Sequence, residues 1–182
     1  MDSPFMATIA QALAGSDLRV VRFEFPYMRA RREHRGRGAP DREPVLLDAW
    51  REVIEALGGG RQLVIGGKSL GGRIASMVAD EAQVRGLVCL GYPFHRPGKA
   101  PGARLKHLKS LLTPALIVQG TRDSFGSRGE VEKYELPRQI RIAWIDDGDH
   151  SFKPRVRSGR TEQQNLIAAI DAVRDFLNIL PR

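Results

Sequence analysis

Three side chains in this sequence could together perform nucleophilic acyl chemistry: Ser69, Asp123 and His150. Ser69 sits in "VIGGKSLGGR" (64–73), with Gly67 two positions before it, Gly71 two positions after, and Gly72 beyond. A short apolar run precedes this stretch and a helical pattern follows it. Strand, then G-x-S-x-G, then helix is the arrangement of a nucleophile elbow. The serine is held in a strained turn, so its neighbours must be small enough for strand and helix to approach each other closely. The helix that follows aims its first N–H groups at the place where negative charge would develop. Leu70, the residue after the serine, would supply one such N–H to an oxyanion hole. A glycine turn with only a structural role is the competing reading of this motif taken alone.

"GGKS" also contains the Gly-Lys-Ser of a phosphate-binding loop, but the register excludes that reading. The first glycine of such a loop would fall at position 62, which is Gln62, and the four residues between belong to the strand itself.

A nucleophilic serine needs a base, and the base an orienting carboxylate. In the elbow arrangement the chain order is serine, acid, histidine, each just past a strand end. Asp123 follows "ALIVQG" (115–120) and His150 follows "IRIAWI" (140–145), which fits both order and placement. The other histidines fit less well. His34 lies in a basic stretch and His107 in a lysine-flanked helical segment. His95, in "GYPFHRP", follows a strand end and could line the pocket, although an ordinary surface position is the preferred reading. Lys68 and Tyr27 are further candidates for the substrate pocket. Asp146, Asp147 and Asp149 lack calcium-loop spacing and a second ligand group, so no metal or other cofactor is expected. Asp149 is expected to shape the turn carrying His150.

The elements that must position these residues alternate along the chain. Ser3 is a plausible N-cap with Pro4 at the first helical position, and Phe5, Ile9 and Leu13 follow at helical spacing up to Gly15. "LRVVRFEF" (18–25) reads as a strand, and a basic loop follows. Pro44 opens a helix with the apolar stripe Leu46, Trp50, Val53 and Leu57. "QLVIG" (62–66), "RGLVCLG" (85–91), "ALIVQG" and "IRIAWI" are the remaining strands; "RIASMVAD" continues helically after the serine turn, with Ile74, Met77 and Val78 on one side. The last helix starts at Thr161 with Gln164 three places on, a capping box. Leu166, Ile170, Val173, Leu177 and Leu180 keep its period until Pro181. Strands alternating with helices predict an α/β fold: a mostly parallel sheet with helices on both faces, in one domain spanning residues 1–182.

Composition agrees with a globular domain. The chain has 182 residues, 42% hydrophobic and 27% charged, without low-complexity blocks. Cys89 is the one cysteine; in "GLVCLG" it reads as a core residue in a reducing compartment. The start lacks a signal-peptide pattern and no apolar run approaches 18 residues, so a soluble, cytoplasmic protein without membrane contact is expected. A net charge of +8 gathers in "RARREHRGRG" (29–38) and "KPRVRSGR" (153–160). Neither cluster is interleaved with aromatics, so solvated loops are favoured over a nucleic-acid platform. The first cluster, on the expected site face, hints at an anionic acyl substrate.

The motifs "MDSPFM", "FEFPYM", "GGKSLGGR", "GYPFHRPGK", "QGTRDSFG", "DGDHSFKPR" and "SGRTEQQN" run along nearly the whole chain. Together they resemble the α/β-hydrolase superfamily, in particular a small bacterial branch related to dienelactone hydrolases and sharing its domain with a testis-expressed protein and a chromatin-complex subunit. The resemblance implies Ser69 as nucleophile, His150 as base and Asp123 as its partner, acting on a small-molecule ester or related acyl bond.

In that family a strand and an "H-G-A-G-A"-like loop come immediately before the counterpart of "MDSPFM", where Met1 stands here. The loop supplies a second oxyanion-hole N–H, and the strand lies beside the one carrying the serine. An N-terminally shortened form of a longer protein is therefore expected. The competing reading is a natural short form whose gap another segment or a second copy fills. One missing oxyanion donor would cost about 10²–10³ in turnover. Open strand edges would favour self-association. A catalytically silent module that binds a protein or nucleic-acid partner is the alternative function.

Overall fold

The computed structural model describes residues 3–15, 17–34, 39–99 and 102–181. Its centre is a four-stranded parallel sheet in the order β1-β2-β3-β4, formed by β1 (Val64–Lys68), β2 (Gly86–Leu90), β3 (Ala115–Gly120) and β4 (Ile140–Ile145). The two central strands are buried at every position. Their side chains alternate between two apolar layers, which is why both read as unbroken apolar runs. Leu87, Cys89, Ala115 and Ile117 meet α3 (Glu43–Ala56) and α4 (Leu70–Val78) through Trp50, Ile54, Ile74 and Val78. Val88, Leu90, Leu116 and Val118 meet α1 (Pro4–Leu13) and α7 (Glu162–Ile179) through Ile9, Ala169, Ile170, Val173 and Phe176. Each fully buried Val, Leu, Ile or Phe among them contributes about 1.5–3 kcal/mol.

Local signals set the ends of these helices. Ser3 caps α1, its hydroxyl accepting from the Met6 N–H with Pro4 in the first turn. Thr161 and Gln164 form a reciprocal capping box at the start of α7. The expected stripe of α3 holds at Leu46 and Trp50, while Leu57 is exposed beyond the helix end.

Two expectations fail before β1. Residues 18–25 form no strand. Their apolar alternation reflects burial rather than sheet pairing: Phe23 stacks edge-on against Trp50 at 4.6 Å, and Phe25 is buried. A strand requires a ladder partner, and the nearest sheet edge, that of β1, lies across an open cleft. Nor are residues 29–34 a loop. They belong to α2 (Pro26–His34), where Arg29 and Glu33 pair one turn apart. Residues 35–38 of the basic stretch lie outside the described residues. The short helices α5 (Ala103–Lys106) and α6 (Arg128–Val131) complete the connections between the later strands.

Candidate active site

Ser69 stands between the end of β1 and the start of α4 with φ 51° and ψ −117°, a conformation of order 1–3 kcal/mol above the common wells. Both of its main-chain groups are held. Its N–H donates to Leu90 O at the end of β2 (2.9 Å), and its carbonyl accepts from the Arg73 N–H of α4 (3.0 Å). The tightness of the turn rests on Gly67 and Gly72. A Cβ on Gly67 would meet the Gly71 carbonyl carbon at 2.8 Å, and one on Gly72 would meet Gly67 O at 2.6 Å. Gly71 departs from expectation, because a Cβ there would meet nothing within 4 Å. The close approach of strand to helix is made one residue later than the G-x-S-x-G pattern suggests. Leu70 begins α4, so its N–H is among those without an intrahelical acceptor.

Asp123 follows β3 in a tight turn and its side chain is wholly withdrawn from solvent. Oδ1 accepts from the Phe125 N–H at 2.8 Å. Oδ2 accepts from His150 Nδ1 at 2.8 Å and from Gln119 Nε2 at 2.9 Å. An ionised carboxylate only accepts, so Nδ1 carries the proton and Nε2 of the neutral ring is an acceptor. The Ser69 hydroxyl donates to that Nε2 at 2.8 Å. Three segments separated by 81 residues of sequence thus converge in one hydrogen-bonded line.

The turn carrying His150 is pinned from several sides. Asp149 Oδ1 accepts from the Ser151 and Lys153 N–H groups at 2.7 and 3.0 Å, the turn-shaping role expected of it. Asn165 of α7, buried, donates to Asp146 O and Phe152 O at 3.0 and 2.8 Å. Asp146 lies 3.6 Å from the Arg160 guanidinium. Asp147 pairs with Arg155, whose hydrogen bonds hold its carboxyl far below the usual carboxylate range. The Phe125 ring lies against the imidazole with centroids 4.4 Å apart.

Beside Ser69 a cleft of about 1800 Å³ runs along the outer edge of β1. Tyr27, Lys68, Ser69 and His150 line it, together with Phe23, Phe25 and Trp50. His95 does not belong to it. It is 5% exposed, with Nδ1 3.0 Å from Arg96 O and Nε2 3.5 Å from Glu130, so neither the pocket nor the surface position holds. Its main-chain N–H donates to Phe125 O, which places it behind the Asp123 turn. His107 bonds Ser76 Oγ at 2.8 Å, a tie between α4 and the segment after α5. Cys89 is buried as expected, and burial pushes its thiol far up.

Sequence reasoning missed Gln119. Fully buried, it also accepts from the Tyr92 N–H at 2.7 Å, joining the turn after β2 to the acid after β3. An amide inside the apolar run "ALIVQG" was its one visible signal.

A family model described as "Alpha/beta hydrolase domain" matches residues 1–178. The chain belongs to the alpha/beta hydrolases. Solved structures agree on the fold. An alpha-beta serine hydrolase homologue from Coxiella burnetii superposes with a TM-score of 0.67 at 21% identity, over 94% of this chain and 77% of that one. A protein of unknown function from Agrobacterium tumefaciens gives 0.67 at 17% identity, over 100% and 82%. The esterase domain of a Rhodothermus marinus protein gives 0.59 at 16%, over 93% and 80%. Such identities speak to fold alone; what this alpha/beta hydrolase does must be argued from its own site.

Proposed function

We propose that this alpha/beta hydrolase is a serine hydrolase cleaving an ester or related acyl bond, with Ser69 as nucleophile, His150 as general base and Asp123 as the group that orients it. The single observation carrying this reading is the unbroken line from Asp123 Oδ2 through His150 to Ser69 Oγ, each link 2.8 Å. The motif likeness to dienelactone hydrolases supports an acyl substrate.

In the reaction, Ser69 Oγ adds to the acyl carbon while its proton passes to His150 Nε2. The charge that appears on the former carbonyl oxygen faces the Leu70 N–H and the start of α4. Collapse of this intermediate breaks the bond to the leaving group, which takes the proton from His150. Water, deprotonated by His150, then attacks the acyl-enzyme; the proton returns to Ser69 Oγ as the acid departs. Asp123 stays ionised throughout, stabilising the imidazolium and keeping the ring in its productive tautomer.

Hydrolysis of p-nitrophenyl acetate tests this directly. The wild-type chain is expected to exceed the buffer rate, and Ser69→Ala to lose at least about 10³-fold of that excess, as enzymes of this type do without their nucleophile. An S69A variant as fast as wild type would contradict the assignment.

A further inference from the structure

Lys68 precedes Ser69 on β1 and lines the cleft, yet its ammonium is committed elsewhere. Nζ donates to the main-chain carbonyl of His150 at 2.8 Å. The same ammonium lies 4.9 Å above the Phe5 ring of α1. No carboxylate pairs with it among the described residues. Burial lowers its pKa, against the opposing pull of Asp123 and Asp149. Ordering a long flexible side chain and partly desolvating its charge both cost free energy. Here that cost supports a hydrogen bond to the main chain of the residue that carries the imidazole.

The surroundings show what this contact adds. On the ring side, His150 is fixed by Asp123 and by the Phe125 face. On the main-chain side, the His150 carbonyl rests against Gly91, which follows β2 with φ 64°; a Cβ there would come within 2.9 Å of that oxygen. Lys68 closes this seat from β1. The other bonds of the turn hold its neighbours: Asp149 binds Ser151 and Lys153, and Asn165 binds Asp146 and Phe152.

We propose that Lys68 is a positioning residue for the base, its ammonium clamping the His150 main chain to the same strand that presents Ser69. Two adjacent residues, Lys68 at the end of β1 and Ser69 just beyond it, then define both ends of the Nε2 to Oγ distance, Ser69 directly and Lys68 through the His150 backbone. The inference rests on the triad reading above and extends it. The clamp makes two demands of the side chain at position 68: a stem long enough to reach the His150 carbonyl, and a cationic donor at its end.

The test follows the second-order rate at which a fluorophosphonate probe labels the full chain in wild type, Lys68→Met and Lys68→Arg. Thermal unfolding of each variant accompanies it. Met keeps the length of the stem and loses the donor and the charge. The expectation for K68M is a rate at least ~10-fold lower, the order expected when reacting groups lose alignment. K68R restores a cationic donor of similar reach and should regain most of the wild-type rate. A K68M variant that labels at the wild-type rate overturns the proposal. So does a K68R variant as slow as K68M, since a donor able to rebuild the clamp would then have restored nothing. A silent wild type marks the other failure: it removes the triad reading, and this inference with it.

Discussion

Asp123 illustrates how much of the site is decided by single side chains. Its two oxygens, fully buried, accept three hydrogen bonds, from the Phe125 N–H, His150 Nδ1 and Gln119 Nε2. Gln119 has a second role among these donors, since its Oε1 also accepts from the Tyr92 N–H. In Gln119→Leu that N–H loses its acceptor and Oδ2 loses a donor, at a cost of about 1–3 kcal/mol. At roughly 2–4 °C per kcal/mol for a chain of this size, the thermal midpoint should fall by several degrees. An unchanged midpoint in a calorimetric scan would contradict this account of Gln119. Ser69, Asp123 and His150 were legible in the sequence because each lies in the turn just past a strand end, in a fixed chain order. Gln119 and Gly91 were not, because their roles depend on which residues neighbouring strands place opposite one another, and that register is written nowhere in the local sequence.

At the scale of elements, the β1–α4 turn separates the glycines that are needed from those that only fit the pattern. Gly72 packs against Gly67 O and the Cys89 Cβ, where an added methyl group has no room. Gly71 faces open space in the first turn of α4, without a positive φ. Alanine is favoured over glycine inside a helix by about 0.5–1 kcal/mol, so Gly71→Ala should leave the urea midpoint unchanged or raise it. Gly72→Ala should lower it, because an overpacked site costs roughly 1–3 kcal/mol of stability. Equal shifts in both variants would refute the distinction. The same scale shows where reading periodicity reaches its limit. Residues 18–25 read as a strand from their apolar content, and Phe23 and Phe25 do pack into the core, but apolar content carries no information about a pairing partner. The arginine-rich stretch from Arg29 was misread through its charge, although Arg29 and Glu33 stand at the spacing that supports a helix.

Taken whole, the molecule has a well-covered sheet at β2 and β3, and a cleft along β1 that reaches Ser69. Among the described residues, both layers of core and the convergence of Ser69, Asp123 and His150 are formed with β1 paired to β2 alone. The central claim is that this assembly activates Ser69. A fluorophosphonate phosphonylates a serine hydroxyl only where a base removes its proton and fluoride can leave, so it reports activation without knowledge of the natural substrate. The decisive measurement is labelling of the full chain with such a probe, followed by peptide mapping, with Ser69→Ala alongside. The account predicts modification at Ser69 and no labelling of S69A. Labelling at another residue, equal labelling of S69A, or an unlabelled wild-type chain would contradict it.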